Sequence, residues 1–171
     1  MTANRIRLEP LSSTPGLHDR SRFDCGSEIL NNYLKTQAGQ DMRRGFAQVI
    51  VGIIPGNDQI AGYYTLSAAS VNLTDVDEAW RNRLPRYGQI PAVLLGRLAV
   101  STSIQGQGLG ELLLADAVKR SDRSELGWAV FLVKAKDEQA AGFYRRFGLE
   151  PFGQDPLLMW ITRREVKSLY R

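Results

Sequence analysis

Residues 91–110 constrain this chain more than any other stretch. PAVLLGRLAV (Pro91–Val100) is an apolar run of strand length interrupted by one charged residue, Arg97, and Gln105-Gly106-Gln107-Gly108-Leu109-Gly110 follows shortly after it. Beyond the glycines, Leu109, Leu112, Leu113 and Ala117 recur at helical spacing. A strand apolar enough to be buried on both faces, leading through a glycine turn into a helix, calls for a sheet flanked by helices. The turn also carries chemistry. Backbone N–H groups at a helix start lack intrahelical acceptors and sit at the positive end of the dipole, so a phosphate binds there without a cationic side chain. Gly106, Gly108 and Gly110 permit a close approach that a Cβ would obstruct. Lys and Ser/Thr do not follow the last glycine, which excludes a P-loop, and the spacing is shorter than the dinucleotide fingerprint. Packing alone would also explain such glycines.

The remaining pattern supplies the other layers. Ser27–Gln40 places Ile29, Leu30, Tyr33, Leu34 and Ala38 on a helical stripe; Phe46–Ile54 and Ile60–Leu73 read as strands of an antiparallel hairpin around Pro55-Gly56-Asn57-Asp58. Thr74 is placed to cap a short helix through Trp80. Trp128–Ala135 reads as a second buried strand, Asp137–Phe147 as a helix, and Leu157–Ile161 as the strand that closes the sheet before a basic tail. The fold class expected is α/β, a mixed sheet with flanking helices in one domain spanning 1–171.

Composition narrows the chemistry. One cysteine cannot form an internal disulfide, and one histidine with one cysteine cannot build a His/Cys zinc site, so no metal is expected. His18 and Cys25 read as structural, and Asp19 and Asp24 as caps or braces for the first helix. No apolar run approaches the roughly 18 residues of a membrane span, and the start lacks a signal-like apolar core; the expectation is a soluble cytoplasmic protein. The formal charge of +4 is localised: no Asp or Glu occurs between Ala79 and Gly110, where Arg81, Arg83, Arg86 and Arg97 fall. A surface for an anionic ligand and a merely solvated face explain this equally well.

Two motifs in order give a family resemblance. Arg97-Leu98-Ala99-Val100 with Gln105–Gly110 resembles the strand and [QR]xxGx[GA] signature of the GNAT N-acetyltransferase superfamily. Asp137-Glu138-Gln139-Ala140-Ala141-Gly142-Phe143-Tyr144 with Gly148-Leu149 resembles its NxxAxxxY…GF segment. Asp137 stands in place of the usual Asn, and Leu149 in place of Phe. The resemblance implies the GNAT fold, with a mostly antiparallel sheet whose central strands splay apart, and acetyl-CoA as donor. It implies that the pyrophosphate lies on Gln105, Gly106, Gln107, Gly108, Leu109 and Gly110, and that the pantetheine arm pairs with Leu98, Ala99 and Val100. Asp137, Ala140 and Phe143 are carried over as donor-binding positions, and Tyr144 as the acid that protonates the departing thiolate.

The N-terminal half extends the resemblance. Leu17–Gly26, Leu30–Lys35, Gln40–Arg44, Gly96–Val100 and Phe147–Phe152 are together similar to GNAT toxins of bacterial type II toxin–antitoxin modules. That implies acetylation of aminoacyl-tRNA and arrest of translation. It also implies a homodimer, and neutralisation by a ribbon-helix-helix antitoxin through which alone DNA is contacted. Lys35, Arg43, Arg44, Arg81, Arg83, Arg86 and Arg97 are then candidates for the RNA surface. Arg97, set in an apolar strand, must face a cleft or a partner. The absence of a carboxylate between Glu78 and Glu111 suits an acceptor amine of low pKa, such as an esterified α-amine. The alternatives are a GNAT enzyme acting on protein N-termini or small amines, and a non-catalytic acyl-CoA- or RNA-binding module.

Overall fold

The computed structural model describes residues 5–14 and 16–169. Its strands are β1 (Arg7–Pro10), β2 (Gln48–Ile53), β3 (Ile60–Asn72), β4 (Gln89–Val100), β5 (Val130–Lys134), β6 (Glu150–Phe152) and β7 (Asp155–Thr162). They form one sheet in the order β1-β2-β3-β4-β5-β7-β6. The β1–β2, β2–β3, β5–β7 and β6–β7 pairs are antiparallel and β4–β5 is parallel, so the sheet is mixed as expected. The helices are α1 (Glu28–Asn32), α2 (Ala38–Arg44), α3 (Glu78–Arg81), α4 (Leu109–Arg123), α5 (Glu138–Arg146) and α6 (Arg163–Leu169).

Several expectations are corrected. The stretch expected as one helix over Ser27–Gln40 widens to π geometry at Tyr33–Gln37 before α2 resumes and ends at Gly45, whose φ is +75°. Thr36 Oγ1 donates to the Asn32 carbonyl at 2.7 Å, a local competitor for the backbone ladder. Thr74 is not a helix cap: it lies inside a 3-10 turn (Leu73–Asp75), and α3 starts after Asp77. Pro91–Val100 is not buried on both faces. Leu95 and Ala99 are buried while Gly96, Arg97 and Leu98 stay half-exposed, so β4 loses cover toward its end. Leu157–Ile161 does not close the sheet, because β6, too short for its pattern to register, occupies the edge outside β7. The basic tail begins as α6.

Two compact units are distinguished, Met1–Ser67 with Arg97–Ala117 and Ala68–Gly96 with Val118–Arg171. The core of the first gathers Phe23, Tyr33, Leu34 and Ala38 with Val49, Val51, Ile60 and Tyr63. The core of the second is built on Trp160, whose ring meets Trp80 at 4.7 Å and Phe152 at 5.1 Å. These aromatic edges and Ile90, Val130 and Leu132 supply its apolar burial.

Candidate active site

In the first unit, the end of β4 is held against the start of β3 and against α4 by the absence of a side chain. A Cβ on Gly62 would lie 2.7 Å from the Ala99 carbonyl oxygen and 3.0 Å from Leu113 Cδ1. Leu109, Leu113, Leu114 and Ala117 are buried on α4, with Leu112 only half-covered. Ser101 N donates to Ala61 O at 2.8 Å and Thr102 N to Asp24 O at 2.8 Å, so the chain leaving β4 is tied down on both sides.

The turn that follows is presented by its backbone. Gly106 and Gly108 have φ of +79° and +85°, and a Cβ on either would meet no atom within 4 Å. The conformation requires glycine, and the space around it is open. Among the described residues nothing accepts from the N–H groups of Gly106 or Gly108, and the first amides of α4 lack intrahelical partners by geometry. The Gln105 side chain turns inward instead: its Nε2 donates to Cys25 O at 3.2 Å and Val100 O at 3.0 Å. It braces the turn, leaving main-chain amides as the donors. Unpaired amides, left-handed glycines, open space and a 15-residue helix behind them make a cradle that fits a diphosphate.

Arg97 finds its partner in the same unit. Its guanidinium carbon lies 3.6 Å from the centroid of the Tyr33 ring. Tyr33 in turn stacks on Tyr63 at 6.2 Å and donates to Asp41 Oδ2 at 2.8 Å. Burial, reinforced by the bond to Asp41, pushes the Tyr33 phenol up to about 12. The stack leaves the guanidinium N–H groups of Arg97 without a carboxylate among the described residues. Lys35, Arg43 and Arg44 are exposed around the π turn and the end of α2. His18 is structural, as expected: Nδ1 accepts from Ser12 N at 2.8 Å, so Nε2 carries the proton that faces Glu9 at 2.7 Å. Cys25 is buried, and Asp24 braces α1 by accepting from Gly26 N and Asn31 Nδ2.

In the second unit, the parallel register of β4 with β5 runs from Ala92↔Val130 to Leu95↔Val133, short of the end of β4. Tyr144 lies on α5 with only 5% of its surface exposed. Its phenol makes no hydrogen bond to any described residue, and burial raises its pKa above the ordinary value. It therefore keeps its proton at neutral pH. Asp137, carried over as a donor-binding residue, uses its carboxylate as the N-cap of α5, accepting from Ala140 N at 2.8 Å. Ala140 and Phe143 are half-buried, and the Phe143 ring packs on Tyr144 at 5.2 Å.

The other arginines differ in how free they are. Arg83 pairs with Glu165 at 3.0 Å and lies 4.0 Å over the Trp80 ring, and Arg81 Nε donates to Val76 O at 3.0 Å. Arg86 is exposed. Sequence reasoning missed Gln105 as a brace and Tyr33 as the platform for Arg97. No grouping of three or more metal-ligating side chains occurs among the described residues.

Residues 48–151, more than half the chain, match the family described as "Acetyltransferase (GNAT) domain". The chain belongs to the GNAT acetyltransferase family. This GNAT chain is 31% identical to the "tRNA-acetylating toxin" of Mycobacterium tuberculosis (strain ATCC 25618 / H37Rv), over 88% of its length and 90% of that protein. Among solved structures, it superposes on AtaT complexed with acetyl-methionyl-tRNAfMet with a TM-score of 0.87 and 29% identity, covering 97% of this chain and 99% of that one. It also superposes on a tyrosine-to-phenylalanine mutant of AtaT bound to the C-terminus of the antitoxin AtaR and acetyl-CoA. There the TM-score is 0.81 at 28% identity, over 97% and 98% of the two chains.

Proposed function

We propose that this GNAT acetyltransferase transfers an acetyl group from acetyl-CoA to the α-amino group of aminoacyl-tRNA, acting as a translation-blocking toxin that a cognate antitoxin neutralises. The observation that carries this reading is the likeness over nearly the full length to a protein named for acetylating tRNA. The residues present suit each part of the chemistry. The amides of Gly106, Gly108 and the first turn of α4 bind the donor's diphosphate, and Leu98–Val100 offer a strand edge to its amide-bearing arm. Acetyl-CoA supplies an activated thioester. Tyr144 holds a proton at its phenol oxygen for the departing sulfur, because burial disfavours the phenolate.

The acceptor fits the charge pattern. A free lysine titrates near 10.4 and an α-amine near 7.7–8.0, so deprotonation at neutral pH differs by about 3–4 kcal/mol between them. An α-amine esterified to tRNA carries no neighbouring carboxylate and titrates lower still. It needs no strong base, and the chain from Ala79 to Gly110 offers no carboxylate. Arginines with unclaimed donors, Arg97 and Arg86 among them, suit RNA phosphates better than Arg81 and Arg83, which are engaged locally. The protein acts as one catalytic domain, as a homodimer, in the cytoplasm where charged tRNA resides; no described helix is long and apolar enough to cross a membrane.

Incubation with labelled acetyl-CoA and charged tRNA tests this. Label is expected on the aminoacyl group, released as N-acetyl amino acid when the ester is cleaved in mild alkali, and absent with uncharged tRNA. Label on polyamines or protein N-termini instead would refute the acceptor assignment.

A further inference from the structure

The loop before α1 and the exposed face of α2 bring two arginines together at a glycine. A Cβ built on Gly39 would lie 3.2 Å from Nη1 of Arg20 and 3.3 Å from Nη1 of Arg43. Gly39 is inside a helix, where glycine is a poor choice for the backbone, and its φ is not of the kind that demands glycine. The space that the missing side chain leaves is what the two guanidinium groups occupy. Arg20 is half-buried and donates from Nη2 to the Ser12 carbonyl at 3.3 Å, which fixes its orientation. Neither arginine has a carboxylate within ion-pair distance among the described residues. The nearest acid on the same helix, Asp41, is engaged by the Tyr33 hydroxyl and by Gln37 Nε2. Two like charges held side by side without a counter-ion repel one another, and the repulsion is relieved when an anion bridges them. The planar forks of arginine match the oxygens of a phosphate in a bidentate manner.

We propose that Arg20 and Arg43, laid side by side across Gly39, clamp one backbone phosphate of the RNA substrate. The proposal rests on the tRNA reading above and adds to it a defined contact that includes Arg20. Gly39 is part of the device: it clears the floor on which both side chains rest. The 3′-phosphate of coenzyme A offers the same chemistry from a different source, and the test separates the two.

Binding of uncharged tRNA is measured by fluorescence anisotropy at several salt concentrations for the wild type, Arg20→Gln, Arg43→Gln and Gly39→Asp. The last variant keeps both arginines and places a carboxylate between them. Acetyl-CoA and 3′-dephospho-acetyl-CoA affinities are measured in parallel. Each variant is expected to bind tRNA about tenfold more weakly near 0.1 M salt and to lower the slope of log K against log salt by about one. A fourth variant that combines Arg20→Gln with Arg43→Gln is expected to add little to either single one, since both hold a single phosphate. Donor affinities should not change. Variants that keep wild-type tRNA affinity and slope overturn the proposal, as does a loss of affinity for acetyl-CoA but not for its 3′-dephospho form, which would assign the clamp to the donor. A wild type that binds no tRNA overturns the proposed function itself, and that outcome is visible before any variant is compared.

Discussion

The guanidinium carbon of Arg97 sits 3.6 Å above the centre of the Tyr33 ring, joining the half-exposed end of β4 to the π turn that follows α1. This contact explains how a cation is tolerated in an otherwise apolar strand. The ring face supplies the attraction that a carboxylate would normally supply, while the N–H edge stays available. Arg97→Lys keeps the charge and loses the flat stacking group. It is expected to lower stability by about 1 kcal/mol, or roughly 2–4 °C in the thermal midpoint for a protein of this size. An unchanged midpoint would mean that the stack contributes nothing.

Gly62 is the tightest point of the first unit. Gly62→Ala brings a methyl group to 2.7 Å from the Ala99 carbonyl oxygen, a backbone atom that cannot swing away. Overpacking of this kind costs about 2–3 kcal/mol, and urea unfolding should show that loss. Because Ala99 belongs to the strand edge assigned to the donor, the acetyl-CoA KM should rise as well.

The glycine turn gives a contrasting pair. Gly108→Ala meets no neighbour within 4 Å but must adopt a φ of +85°, so it strains the main chain by about 1–2 kcal/mol. Gln105→Ala leaves the turn's conformation allowed and removes the brace to Cys25 O and Val100 O. Both are expected to raise the acetyl-CoA KM several-fold with a smaller effect on kcat. Steady-state kinetics at saturating charged tRNA checks this.

Three buried phenols set the alkaline limit of stability. Tyr33, Tyr63 and Tyr144 all titrate above their ordinary value in the folded protein, chiefly because burial penalises the phenolate. A group with a raised folded-state pKa contributes its stability fully below the unfolded value, near 10, and loses it as pH rises past that point. The titration of these residues should therefore leave unfolding free energy independent of pH below about pH 9 and lower it above pH 10, by about 1.4 kcal/mol per pH unit for each phenol. Tyr33, raised to about 12, should stop contributing near that pH, and Tyr33→Phe should flatten the decline. Urea titrations between pH 8 and 11 measure the slope.

Much of this was legible in the sequence, for identifiable reasons. The β2–β3 hairpin, β4, α4, β5 and α5 are long and strongly patterned, so their periodicity exposed them; the glycine turn and Tyr144 were located by motif. β1 and β6, at four and three residues, are too short to carry a period and exist through pairing with β2 and β7. The reading of β4 as doubly buried failed because its apolar letters cannot tell a packed face from one left half-exposed. Contacts between distant residues were invisible as well: nothing in Gln105 announces the carbonyl of Cys25, and nothing in Arg97 announces Tyr33. Asp137, carried over to the donor site by resemblance, also caps α5, a role that its place ahead of a helix allowed.

The most direct test of the account is the single-turnover rate of acetyl transfer to aminoacyl-tRNA by Tyr144→Phe, measured with its acetyl-CoA and tRNA affinities. Removing one hydroxyl from a buried, unpartnered phenol should slow transfer by about 100-fold or more and leave both affinities within a factor of about two. A variant that transfers at the wild-type rate would show that Tyr144 is a core residue and that the proton for the leaving sulfur comes from elsewhere.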